Sequence, residues 1–407
     1  MGDVFVARQP IFTKNKQVFA YELLFRSSKE QTAYQELDGN KATAQVLENS
    51  LLEIGLAQLT KERPAFVNFP EEVLMAGFIE ELPTELIVIE ILESVKPTPE
   101  IVERCRQLKS AGFRFALDDF TFSEQYRTLV ELADYIKIDF RLTEKSARRL
   151  LVEDLGRDDL IFLAEKVENY EEYQEAIDAG YNLMQGYFFS KPEVVGGKTI
   201  KLTEQAAFVF LQELSKDDMD YEVLEELVRH DVSLSYKILR LINAPYFGFS
   251  TKITSVRQAL TLVGRKSLYK WVSLLLLSSL SADKPEELLN MALVRARFAE
   301  LIGNRLAYDD PGQFFMGGMF SLIDAFLDRP MIEAVMDLPL LPEVKEGILG
   351  VPNTLGLVLQ LTIAYEQADW NKVRLFALSL GLQEADLALD YYQATLWSGY
   401  YESHGYR

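Results

Sequence analysis

The sequence predicts two parts of different class, an α/β part with a largely parallel sheet followed by an all-α part. Three observations carry this. In the first half, short apolar runs alternate with amphipathic helical patterns. Near residues 193–203 the short runs stop, and apolar residues then recur at helical spacing. Most of the strand-like runs also hold a polar residue inside or at the end of the apolar stretch, where a purely structural core strand would hold none. At 407 residues the chain exceeds what one core usually holds, since domains average roughly 100–200 residues.

Runs rich in β-branched and aromatic residues read as strands: VFVARQPIF (4–12), VFAYELLF (18–25), AFVNF (65–69), ELIVIEI (85–91), FRFALDDF (113–120), YIKIDF (135–140), IFLAEKVE (161–168) and NLMQGYFF (182–189). Helical patterns lie between most of them, among them ATAQVLENSLLEIGLAQL (42–59), EIVERCRQLKSAG (100–112) and YEEYQEAIDAG (170–180). Gly112 and Gly180 close the last two, as glycine does at helix C-termini. This alternation suggests an α/β barrel or a doubly wound sheet, with near-continuous apolar strands buried on both faces. Gly196-Gly197 is a flexible break. Beyond it come helical runs such as EQAAFVFLQEL (204–214), YEVLEELVRHD (221–231), LSYKILRLIN (234–243), VRQALTLVG (256–264), ELLNMALVRARFAELIGNRLA (287–307), PGQFFMGGMFSLIDAFL (311–327) and TLGLVLQLTIAYEQA (354–368). The expected domains are 1–195 and 200–407.

Composition removes several functions. Hydrophobic residues at 48% and charged residues at 26% are ordinary for a globular protein. A formal net charge of −20 argues against a broad surface for a nucleic-acid polymer or an anionic membrane. The lone Cys105 excludes an internal disulfide framework and suits a reducing cytoplasm. MGDVFVARQP does not read as a signal peptide, and WVSLLLLSSL (271–280) is too short for a membrane span, which needs about 20 residues. Histidine occurs only as His230 and His404. Histidine-rich metal sites are therefore excluded, and hydrolytic chemistry must run on carboxylates, lysine, amides or bound metal.

The polar residues inside the strands are Glu22, Asn68, Glu90, the adjacent Asp118 and Asp119, Lys137, Asp139, Glu165, Glu168 and Gln185. In a barrel, strand C-termini converge on one face, and these residues would meet there. The set is rich in oxygen donors and suits a hard cation such as Mg²⁺ or Mn²⁺. Adjacent aspartates can serve two ions about 3.5–4 Å apart, which activate a water and stabilise an in-line phosphoryl displacement. Each residue taken singly also has an ordinary structural use. Asp118-Asp119 could pair with a lysine or cap a helix, Lys137 and Asp139 could line a wet strand face, and Glu165 and Glu168 could begin a helix. The functional case rests on recurrence along the alternation.

These residues fall in a familiar order. RQPI (8–11), ELLFR (22–26), VNF (67–69), IEILES (89–94), LDDF (117–120), IKID (136–139), AEKVE (164–168) and QGYFFSKP (185–192) together resemble the EAL domains, phosphodiesterases that hydrolyse cyclic di-GMP to linear pGpG. The resemblance implies a modified TIM (β/α)8 barrel that often dimerises. It implies that Glu22, Asn68, Glu90, Asp118 and Asp119 coordinate two Mg²⁺ or Mn²⁺ ions, that Lys137 holds the attacking water, and that Glu165 is the general base. Glu168 and Gln185 would support the metal site. Arg26 would contact a substrate phosphate, and Gln9 and the 187–192 segment, Pro192 included, would line the nucleotide pocket. The chain departs from the family at DDFTFS (118–123), where active members read DDFGxG. That loop couples metal binding to dimerisation in the family, and both of its glycines are replaced here. Pro70 also stands where the family has a serine, with Phe69 in place of the usual intervening residue.

The second half resembles HDOD domains, relatives of HD phosphohydrolases without the catalytic residues. The matching stretches are LVRHDVSLSYKILRLINAPYFGF (227–249), ITSVRQALTLVG (253–264) and FFMGGMFSLID (314–324). Aligned on Gly318, Ser321-Leu322 stand where HD enzymes carry their His-Asp dyad. His230-Asp231 sits in the wrong segment for that dyad and reads as a helix-end histidine and a capping aspartate. Trp271 and the leucines after it read as core. The joined order resembles an EAL–HDOD bacterial signalling protein. That implies a cyclic di-GMP ligand, a cytoplasmic location, a regulatory HDOD module with a protein partner, and either hydrolysis or, with the altered loop, a barrel that senses or docks without turnover.

Overall fold

A computed structural model of the protein describes residues 4–27, 59–75, 77, 79–118, 120, 124–155, 157, 159–190, 202–216, 218–230, 238, 242–243, 256–281, 284–336 and 338–403. The helix expected over 42–59, apart from Leu59, lies outside these residues. So do Asp119, the 121–123 loop, Pro192, Asp231, His404 and most of 193–203 and 234–243.

The first half closes into a barrel of eight strands in sequence order: β1 Val4–Thr13, β2 Val18–Ser27, β3 Ala65–Phe69, β4 Ile87–Ile91, β5 Arg114–Leu117, β6 Tyr135–Asp139, β7 Ile161–Glu165 and β8 Leu183–Gln185. The pairs from β2 through β8 are parallel, whereas β1 runs antiparallel to both β2 and β8. The cause is local. A parallel crossover needs a dozen or more residues, and only residues 14–17 separate β1 from β2. They form a tight turn in which Lys16 N–H donates to Thr13 O at 2.9 Å and Lys16 takes a left-handed φ of 59°. Among the described residues, helices follow the later strands, at Pro99–Ser110, Arg127–Leu132, Lys145–Leu155 and Tyr170–Asp178. Thr98 and Asn169 cap two of them by accepting the N–H of Ile101 and Glu172.

Both sides of the strands are buried. On the inside, each strand contributes one residue to a packed layer: Ile11, Ala20, Phe66, Val88, Ala116, Tyr135, Leu163 and Leu183. Phe66 and Tyr135 meet edge to face at 5.0 Å in its centre. The alternate residues, such as Val67, Ile89, Phe115, Ile136 and Phe162, are buried too. This explains why the strands read as continuous apolar runs.

The chain divides into two compact units. The first comprises Met1–Phe189, Ala364–Val373 and Gln383–Tyr392; the second comprises Ser190–Ile363, Arg374–Leu382 and Gln393–Arg407. Every described element from Leu202 onward is a helix. The helices Glu286–Arg305 and Gly312–Phe320 pack backbone against backbone at Gly318, where an added Cβ would lie 2.4 Å from Arg295 O. The apolar run over 311–327 is broken at Ser321 and Leu322. Ser321 Oγ donates to Gly318 O at 2.8 Å and accepts from Arg295 at 3.1 Å, while Leu322 is buried. Trp271 and Leu274 to Leu277 are also buried. The helix Tyr221–His230 ends at His230. No helix among the described residues is long and apolar enough to cross a membrane.

Candidate active site at the barrel mouth

The site follows from strand geometry. Side chains alternate along a strand, so a step of two residues stays on the same face and rises about 6.6 Å. Stepping two residues toward the C-terminal ends of β2 to β8 turns the apolar layer into a polar one. Ala20 gives Glu22, Phe66 gives Asn68, Val88 gives Glu90, Ala116 gives Asp118, Tyr135 gives Lys137, Leu163 gives Glu165 and Leu183 gives Gln185. Because β1 runs the other way, the step from Ile11 is backward and gives Gln9. The register agrees: Gln9 pairs with Glu22 and Asn68 with Glu90.

Lys137 is at the centre. Its Nζ lies 2.6 Å from Glu90, 2.8 Å from Asp118, 2.8 Å from Glu165 and 3.4 Å from Glu22. Gln185 Nε2 donates to Glu22 at 2.5 Å and to Gln9 at 3.2 Å. Burial works against the Lys137 charge, but Glu165, Glu22, Glu90 and Asp118 outweigh it and hold the ammonium charged well above its ordinary range. The carboxylates move the other way. Burial, with Lys137 opposing and Glu22 and Asp118 adding, raises Glu90 well above the usual range. Burial, opposed by Lys137 and reinforced by Asp118 and Glu22, pushes Glu165 up to about 8.

Four carboxylates thus surround a single ammonium, and the ring carries an excess of negative charge. Among the described residues, no three His, Cys, Asp or Glu side chains converge as ligands of one ion; the carboxylates close on Lys137 instead. Other oxygens are left over. Lys137 compensates Glu90 Oε1 at 2.6 Å, but Glu90 Oε2, Asn68 Oδ1 and Gln185 Oε1 are buried without a hydrogen bond among the described residues. Buried acceptors in that state are costly. Unsatisfied oxygen donors beside excess carboxylate charge are what a hard divalent cation requires, and the ring residues fit one.

The remaining residues stand around the ring. Glu168 lines the cavity above it, with its N–H donating to Glu172 at 2.8 Å and its carboxylate 3.4 Å from Arg141. The chain therefore brings Glu165 and Gln185 into the ring and leaves Glu168 at the rim. Arg26 is on β2, in register with Phe5. Gly186 takes a φ of +143°, and a Cβ there would lie 2.1 Å from Val167 O. Glycine is thus required where the end of β8 tucks against the end of β7, and this turn seats Gln185 in the ring. Lys166, which no sequence pattern singled out, also lines the cavity, as does Tyr187.

A closed β/α barrel with an acidic ring at its strand ends, followed in the chain by helices alone among the described elements, defines a two-part protein of a barrel domain and a helical domain. Residues 2–192 match the EAL domain and residues 202–327 match the HDOD domain. The chain is 38% identical over 390 residues to the uncharacterized protein YuxH of Bacillus subtilis (strain 168), covering 94% of this chain and 95% of that protein. It is 34% identical over 413 residues to the cyclic di-GMP phosphodiesterase CdgJ of Vibrio cholerae, covering 98% and 93% respectively. A crystal structure of a standalone EAL protein from Vibrio cholerae O395 in its c-di-GMP bound form is 26% identical, with a TM-score of 0.37 over 47% of this chain and 92% of that one. The chain belongs to the EAL–HDOD family.

Proposed function

We propose that this chain is a cyclic di-GMP signalling protein whose barrel, residues 1–195, binds the dinucleotide and hydrolyses it to pGpG. The helical region, residues 200–407, acts as a regulatory module that meets a protein partner. The observation that carries this reading is the ring of eight polar residues directly above an eight-residue apolar layer, with Lys137 inside it. The relative CdgJ, matched along nearly the whole chain, is a cyclic di-GMP phosphodiesterase. A cytoplasmic location and a homodimer through the barrel belong to the same reading.

Glu22, Asn68, Glu90 and Asp118, with Asp119, would hold two Mg²⁺ or Mn²⁺ ions. Bound divalent ions supply positive charge to a phosphodiester and acidify water. Lys137 then orients the attacking water with a proton that it keeps, since its ammonium is held charged. Glu165, 2.8 Å from Lys137, accepts the proton of that water. Gln185 fixes Glu22 through its 2.5 Å hydrogen bond and leaves its own oxygen free to act as an acceptor. Gln9 and the 187–192 segment, Pro192 included, line the nucleotide pocket, Arg26 contacts a substrate phosphate, and Glu168 supports the metal site from the rim.

A second reading, binding without turnover, is favoured by Thr121 and Ser123, which stand where active members have glycine. One experiment separates the two. Full-length protein is incubated with cyclic di-GMP and Mn²⁺ or Mg²⁺, with a chelator control, and pGpG is quantified. Chelator-sensitive pGpG supports hydrolysis. Saturable binding with no product moves the barrel to a sensor.

A further inference from the structure

Lys166 follows the last residue of β7 and takes a left-handed φ of 55°. Neighbouring hydrogen bonds impose that conformation. Glu165 O accepts from Phe140 N–H at 3.1 Å, and Val167 N–H donates to Gln185 O at 2.9 Å. Val167 O accepts from Phe188 N–H at 3.1 Å. Glycine adopts such a φ freely, whereas a lysine is strained there. A lysine nevertheless stands at this position, and its side chain is directed. Its ammonium pairs with the buried Asp139, whose carboxylate also accepts the N–H of Arg141 at 2.5 Å and of Leu142 at 3.1 Å. The lysine itself is 55% exposed and borders the cavity beside Glu165 and Glu168.

From this placement we infer that Lys166 is an anion-contact residue of the pocket, which donates to a phosphate of the bound cyclic dinucleotide while Asp139 holds it in place. The inference rests on the functional reading above. Its chemistry is one of charge. A cyclic dinucleotide carries two phosphodiesters, and only one can lie at the ring. The second enters a mouth whose described walls carry Glu22, Asp118, Glu165 and Glu168. Among the described residues lining that cavity, Lys166 is the cation; Lys137 is fully buried below, within reach of four carboxylates. An ammonium has three protons to donate. Lys166 can therefore keep Asp139 and still meet a phosphate.

The test is calorimetric titration of cyclic di-GMP into full-length protein with Ca²⁺ in place of Mg²⁺ or Mn²⁺, with the nucleotide checked as intact afterwards. Lys166→Gly suits the left-handed backbone and removes the charge; Lys166→Met removes the charge and keeps the side-chain bulk. Both should bind about tenfold more weakly, with a shallower dependence of affinity on salt, and Lys166→Arg should stay within about threefold of wild type. Wild-type affinity and salt dependence in both neutral variants would overturn the role of Lys166 alone. A wild-type protein that binds no cyclic di-GMP would overturn the functional reading and this inference with it.

Discussion

Lys137 Nζ lies 2.6 Å from Glu90 Oε1 at the floor of the barrel mouth, and both side chains are completely buried. Neither could be there alone, because an isolated buried charge costs several kcal/mol. Each is tolerated because the other is present, and Glu22, Asp118 and Glu165 complete the cluster. The ring is therefore both a catalytic candidate and a structural liability.

That liability gives the first prediction. Lys137→Met leaves the carboxylates without their internal cation. Breaking a buried ionic cluster on one side costs about 3–5 kcal/mol, and a barrel of this size should lose roughly 6–20 °C in melting temperature. The loss should be largest in chelator and smaller with Mn²⁺, since a bound ion takes over the compensation. A variant that melts like wild type in chelator would show that Lys137 does not neutralise the ring.

Glu22→Ala acts in the opposite way. It removes one charge from a cluster with too many, and Gln185 keeps Gln9 as an acceptor at 3.2 Å. The barrel should stay folded, with circular dichroism and melting temperature close to wild type, while any hydrolysis of cyclic di-GMP falls by at least about 100-fold. Activity that survives this change would remove Glu22 from the metal site.

The barrel and its ring were legible because one pattern encodes both. A polar residue interrupting an apolar run, such as Glu90 in IVIEI, sits two positions past the buried Val88 and so on the same face. The antiparallel β1 was less visible, since apolar alternation has no direction; only the short 14–17 linker dictates it. Glu165 and Glu168 could not be ranked by spacing. The strand ends at Glu165, and the chain turns through Lys166 before Glu168 reaches the rim. The run NLMQGYFF continues in apolar residues past Gln185, yet the strand stops there because Gly186 takes a positive φ that strand residues do not and Phe188–Ser190 form a 3-10 helix. Lys166 gave no cue at all, because a lone lysine after a strand reads as solvated surface.

Gly186 supplies a third prediction. In Gly186→Ala, the new methyl would lie 2.1 Å from Val167 O and 2.5 Å from Val167 N. Backbone atoms cannot swing aside as a flexible side chain can, so the Val167 backbone that follows β7 must move away from the segment that follows β8. The variant should lose at least about 2 kcal/mol in urea unfolding. Any nucleotide affinity should fall with it, because Gln185 and the Glu165–Lys166 turn move together. A stable variant with normal binding would show that the close approach is not needed.

The fourth prediction concerns acid. Burial alone would raise the Asp139 pKa, but the hydrogen bond from Lys166 and the N–H groups of Arg141 and Leu142 outweigh it and hold the carboxyl below its ordinary value. In the unfolded chain an aspartate titrates near about 3.9. A depressed folded value means that the ionised form favours the folded state, so the contribution is complete above that unfolded value. It is lost as pH falls through the folded one. Asp139→Asn cannot ionise, so it should be less stable than wild type by about 1–2 kcal/mol at pH 7 and at pH 5. The gap should narrow at pH 3.5, below the unfolded value, where the aspartate of the unfolded wild-type chain takes up a proton. Urea unfolding at these three pH values decides the matter: a gap of constant size down to pH 3.5 would mean that the Asp139 charge contributes nothing, and that Lys166 is held in place by something else.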